Sequence, residues 1–337
     1  VNFSEAVTLS GGALNVTLNT GNVISVSAGS YPASQLTGTY TVTAGQSNAD
    51  LNADTPLALT GTIVDSCDQN ANSLASLNVP GGQNLGDNKN IVIDGVAPVI
   101  SSITSSTSNG TYGAGATIDV TVNFSKNVTL SGGNLNVTLD TGTVVAIAPF
   151  TNSNTASGTY TVSAGQTSAD LNATSLALSA GTLRDTVPNN PNNVDLTLPS
   201  SNLANNKAIV IDAVAPVISS ITSSTTNGTY GIGANIDVTV NFSKNVTLSG
   251  GNLNVTLDTG AVVAIAPFTN ANTASGTYSV ASGQSSADLN ATNLALSAGT
   301  LRDTVPSSPN NANLTLPSSN LANNKALVID GVAPTIS

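Results

Sequence analysis

The chain has 337 residues, 39% of them hydrophobic, so it is long enough for two or three ordinary cores and too apolar for a disordered tail. Asp and Glu outnumber Lys and Arg by 18 to 7, and the resulting net charge of −11 opposes binding to a nucleic-acid backbone. There is no His to serve as a general base, which argues against an enzyme, and no run approaches the ~20 apolar residues of a membrane span.

The chain repeats itself. IDGVAPVI at 93–100 returns as IDAVAPVI at 211–218 and IDGVAPTI at 329–336, a spacing of 118 residues. At that offset, residues 96–213 and 214–331 differ at 16 of 118 positions. Residues 1–95 form a diverged copy, because NFSEAVTLSGGALNVTL at 2–18 matches NFSKNVTLSGGNLNVTL at 123–139. The expected domains are therefore 1–95 (copy one, without the opening strands), 96–213 (copy two), 214–331 (copy three) and 332–337, the start of a further one. A period of 118 exceeds the 20–50 residues of a solenoid repeat and fits a whole domain. The lone Cys67, matched by Val187 and Val305, reads as a small semi-buried apolar side chain.

In copy two, Ile118, Val120, Val122 and Phe124 alternate with Asp119, Thr121 and Asn123, the period of a strand with one wet face. The SGGN stretch at 131–134 predicts a tight hairpin, its glycines permitting positive φ. After it, Leu135, Val137 and Leu139 should face inward. Further short strands are expected at 144–148, 159–162, 176–178 and 208–211, and the one candidate helical turn is SADLNA at 168–173. Tyr160, like Tyr40 and Tyr278, reads as a core or corner residue, and Asp119, Asp140 and Asp170 as solvated. Seven or so short strands per copy predict an all-β chain, a tandem array of Ig-like antiparallel β-sandwich modules.

Between the last strand of one copy and the first of the next stand five residues, Asp212 to Pro216 in the second junction. Proline fixes φ and restricts its predecessor, so the linker is short and semi-rigid. The D-x-x-A-P junction, the PVISSIT opening and the V-x-FS-x-x-V phrase resemble the Ig-like and cadherin-like tandem repeats of large bacterial surface proteins, which include adhesins, surface-layer and filament proteins. The resemblance covers essentially the whole chain. It implies an extracellular location on a bacterial cell surface and calcium at the junctions. Glu5 matches the acidic residue that many such repeats carry in the FSE phrase, where Lys126 and Lys244 stand in the other copies.

Calcium needs six to eight oxygen ligands. The junction residues Asp94, Asp212 and Asp330 and the loop residues Asp65, Asp185 and Asp303 recur amid Asn-rich loops and are the candidate ligands. Asp also caps turns, the plainer reading. A Lys–Asn amide cross-link through Lys126 or Lys207 would need a buried lysine, whereas Lys126 reads as an exposed strand-end residue. The expected function is that of a structural region, a semi-rigid stalk or a filament or surface-layer body that supports adhesion. Its partners would be neighbouring modules of the same chain, with other copies of itself in a filament or lattice. The alternatives are a module that binds glycan or host protein, and a lattice or fibre subunit that uses strand donation.

Overall fold

In copy two the alternation seen in the sequence becomes the spine of the fold. Ten strands and one helical turn follow in order: β1 Ile100–Thr104, β2 Gly110–Tyr112, β3 Thr117–Ser131, β4 Leu135–Leu139, β5 Val144–Ile147, β6 Phe150–Thr161, β7 Thr167–Ser168, β8 Ala173–Leu178, β9 Thr182–Asp185, α1 Leu203–Asn206 and β10 Ile209–Asp212. The computed structural model describes residues 1–28, 32–65 and 76–335, and Cys67 lies outside them. One sheet is built on β3, with β6 antiparallel along one side and β1 and β9 in succession along the other. A second sheet runs β5–β4–β8. A third ribbon joins β2 to β10 in parallel and β10 to β7 antiparallel. Copy three repeats every one of these pairings.

Alternation sets the core. Ile118, Val120, Val122, Leu135, Val137 and Leu139 are sealed from solvent, and each such side chain contributes roughly 1.5–3 kcal/mol on burial. Tyr160 is fully buried and its hydroxyl donates to Gln166 Oε1 at 2.7 Å, while Tyr278 and Tyr40 repeat the bond to Gln284 and Gln46. Phe150 packs against Phe124 at 6.0 Å between ring centroids. In copy one the described core falls into two clusters, one around Leu9, Leu14 and Ile63 and a smaller one of Leu18, Leu51 and Ile93.

Several sequence expectations are corrected. Gly132 does take a positive φ of 79°, but β3 and β4 do not pair, so SGGN is a crossover between sheets and not a hairpin. A Cβ on Gly133 would lie 2.4 Å from the Ala180 carbonyl oxygen. The turn thus packs on the one that returns the chain from β8 to β9, and glycine is needed for that approach. Residues 168–173 form no helix. The helical turn is Leu203–Asn206, set by Asn202, whose side chain accepts the Leu203 amide at 2.7 Å. Asp119 is not simply solvated. Half-buried, it accepts bonds from the Ser106 and Thr107 amides and from the hydroxyls of Ser105, Ser106 and Thr107. Burial alone would raise its pKa, but these donors outweigh that cost and hold the carboxyl well below the usual carboxylate range. Asp237 repeats the arrangement in copy three.

Candidate functional site: the joints between copies

Both joints begin with an aspartate that turns the chain. Asp94 Oδ1 accepts the Val96 amide at 3.2 Å, and Asp212 Oδ1 accepts that of Val214 at 3.4 Å. Proline then hands the chain to the next copy in extended form. Ser125 Oγ accepts the Val99 amide at 2.9 Å, and Asp195 donates its amide to the Pro98 carbonyl at 2.9 Å. Ser243, Val217, Asn313 and Pro216 do the same at the second joint.

A lysine closes each joint. Lys126 Nζ lies 2.5 Å from Asp94 Oδ1 and 3.8 Å from Asp185 Oδ2, and donates to the Val96 carbonyl at 2.6 Å. Lys244 makes the same contacts with Asp212 at 2.5 Å, Asp303 at 3.9 Å and the Val214 carbonyl at 2.7 Å. The loop carboxylates are nearly sealed, with side chains 3% exposed, whereas the lysines and junction aspartates keep about a third of theirs in solvent. Asn192 donates from its backbone at 2.8 Å and its side chain at 2.7 Å to Asp185, and from the same amide group to the Asp94 carbonyl at 2.9 Å. Asn310 does so for Asp303 and Asp212. Each buried carboxylate is therefore satisfied within its loop and tied to the preceding copy through one asparagine.

The second joint has a further contact. Ser307 accepts the Gly113 amide at 2.8 Å and donates to the Thr111 carbonyl at 3.3 Å, extending β2 by a bridge from the other copy. Asn310 Oδ1 also accepts the Ala114 amide at 3.0 Å. A cavity of about 240 Å³ lies beside this joint, lined by Asp212, Lys244, Asp303 and Pro306 among others.

Of the candidate calcium ligands, the structure gathers Asp94 with Asp185 and Asp212 with Asp303. Asp330 ends strand Leu327–Asp330 and accepts the Val332 amide at 3.4 Å, and Asp65 ends strand Thr62–Asp65 in the copy that carries Glu5. Among the described residues no group of three or more His, Cys, Asp or Glu comes together. At the two complete joints an ammonium already lies within 4 Å of both carboxylates, and a divalent cation beside it would meet like-charge repulsion. The residues there do not fit calcium while lysine occupies the gap. Lys126 itself is not an exposed strand-end residue but lies inside β3, half-buried. The sequence reading missed both the lysine and the asparagine as joint residues. The signal that could have found the lysine was its replacement of Glu5 at a junction-facing position.

No family model matches this chain, and no curated protein matches it. Among solved structures, one that is similar is titled as domains 4–9 of the surface layer protein SbsC. The identity is 13%, covering 86% of this chain and 47% of that one, with a TM-score of 0.15. The chain spans about half the length of that structure.

Proposed function

We propose that this chain is a structural shaft of a bacterial cell-surface protein, held outside the cell, whose modules transmit force and set distance. The observation that supports this most directly is the recurrence of one lysine–aspartate–asparagine lock at two successive joints, 118 residues apart. The lock joins each linker to the body of the following copy, so the linker is gripped from both sides and bending is limited. In this reading the lysine ammonium supplies the positive charge between junction carboxylates, and stiffness does not depend on a bound divalent cation. The few charges elsewhere, and faces rich in Asn, Thr and Ser, keep the array soluble.

Solution scattering tests it. A compact globule of this length would have a radius of gyration near 20 Å. The shaft should exceed that value clearly and hold it on addition of a chelator. A value near 20 Å rejects the shaft. An extended particle that softens or melts earlier in chelator rejects the lysine lock in favour of calcium at the joints.

A further inference from the structure

Sheets have edges, and in this fold most are short, charged or covered. Among the described residues of copy two, β2, β5 and β7 span four residues or fewer, and Pro149 follows β5 closely. β9 carries Arg184 and is bridged by Asn193. The outer side of β1 is occupied, since Ile103 donates its amide to the Ser201 carbonyl and accepts from Asn206. β8 is six residues long, and its Ala173 carbonyl takes the Asn202 side chain. β6 differs from all of these. It runs for 12 residues, pairs only with β3, and holds neither a charge nor a proline in FTNSNTASGTYT. Its counterpart Phe268–Ser279, FTNANTASGTYS, is the same.

The direction of the open backbone groups follows from one side chain. Ser153 Oγ accepts the Thr155 amide at 3.2 Å and donates to the Thr155 carbonyl at 2.7 Å, so both groups point away from β3. By the two-residue period of an antiparallel ladder, Ser157, Thr159 and Thr161 turn theirs the same way. Their side chains are exposed, while Ala156, Gly158 and Tyr160 face inward. β5 packs on that inner face, close enough that a Cβ on Gly158 would lie 2.7 Å from Val145 Cγ1, so it does not extend the sheet. In copy three Ala271 replaces Ser153, and the hydroxyl cover over the matching Thr273 is gone.

We propose that β6 and Phe268–Ser279 are lateral docking edges that pair with the same edges of a second copy of this chain. The proposal rests on the shaft reading and gives that shaft its neighbours. A second copy suits the edge for three reasons. Antiparallel pairing of identical strands is self-complementary about a two-fold axis. The edge is uncharged, so two chains of net charge −11 can meet there with little local repulsion, and the facing Thr and Ser form favourable cross-strand pairs. The exposed Thr/Ser row offers no apolar or charged pocket by which a foreign peptide would be selected. A single edge of this length buries less than the roughly 1,200 Å² of a stable interface, so each pairing is weak. Two edges at the fixed repeat spacing make the association multivalent.

Sedimentation of the full chain from micromolar to millimolar concentration tests this. The parent should associate reversibly. A chain with Ser157→Lys and Ser275→Lys should associate at least tenfold more weakly, with its melting temperature unchanged because both side chains face solvent. Thr159→Pro with Thr277→Pro removes outward N–H groups without adding charge and should act in the same direction. A parent that stays monomeric throughout, or variants that associate as it does, overturns the proposal. So does a monomeric parent that instead takes up an unrelated polar strand peptide. Scattering at low concentration separates the two readings, since an extended monomer that never associates leaves the shaft standing and removes only the edge pairing.

Discussion

The joint between copies one and two and the joint between copies two and three use the same lock, and the second shows a further contact beside it. Both have the lysine, the two aspartates and the asparagine in matching geometry. The second joint also shows a strand-level contact between Thr111–Ala114 and Ser307–Asn310, for which the matching positions of copy one would fall before residue 1. A lock at the linker fixes where two bodies meet, and leaves rotation about that point. A second contact away from the linker resists the rotation. Attachment and orientation are therefore held by different contacts at the second joint.

The largest effect should come from a methyl group placed in that second contact. A Cβ on Gly113 would lie 2.0 Å from the Ser308 carbonyl oxygen; Gly231 is the control within this chain, because the positions that would face it fall beyond residue 337 and the nearest atom is 3.7 Å away. Gly113→Ala should cost about 1–3 kcal/mol of the coupling between copies two and three, seen as a lower melting temperature and a broader scattering envelope. Gly231→Ala should stay within about 0.5 kcal/mol. Equal shifts in the two variants would mean that the strand-level contact does not orient the joint.

The shared lock predicts the opposite pattern, equality. Asp185→Ala and Asp303→Ala each strip the acceptor from an asparagine that also holds the preceding copy, and leave a lysine with one carboxylate. Each should cost about 1–3 kcal/mol in calorimetry, by similar amounts. A large inequality would show that the two locks are coupled differently to their copies.

The local alternation of β3 was legible because its period depends on neighbours in sequence. The crossover at SGGN was not, since the partners that separate β3 from β4 are β6, β9, β5 and β8, all further along the chain. The lock was half legible. Its aspartates were singled out because they recur, but they were read as ligands for a metal. The group that meets them, Lys126, is 32 residues from Asp94, and Asn192 is 98 residues away. Nothing local in FSKN or PNNPNN announces that contact. Asp119 was misjudged for the related reason that its donors lie 12 to 14 residues upstream.

Asp119 and Asp237 supply a control that lies inside the copies and away from either joint. Their carboxyls are held below the usual range by the Ser and Thr donors. A depressed folded pKa contributes stability that is present above the unfolded value near 3.9 and is lost as pH falls through the folded one. Acid should therefore weaken copies two and three together as pH falls below about 4. Asp119→Asn with Asp237→Asn should lower the melting temperature at neutral pH and flatten that acid limb. An acid limb of unchanged slope would show that these carboxyls are not held down in the fold. If Gly113→Ala altered the limb as well, joint and interior would not be independent.

The smallest effect isolates the second contact most sharply. Ser308 has a φ of 59°, and the matching residue in copy two, Asn190, has the same φ. Asparagine tolerates this left-handed region better than serine does, so Ser308→Asn should stabilise by a few tenths of a kcal/mol and Asn190→Ser should destabilise by about as much. The two changes cancel only if backbone preference is the whole story. Ser308 also presents its carbonyl to Gly113, so relief of strain there should tighten the joint as well as the loop. Within this chain the position that would face Asn190 falls before residue 1, so the gain from Ser308→Asn should exceed the loss from Asn190→Ser, measured as paired melting shifts in one chain background. Equal magnitudes would confine the effect to the turn and leave the orientation of copy three to the lock alone.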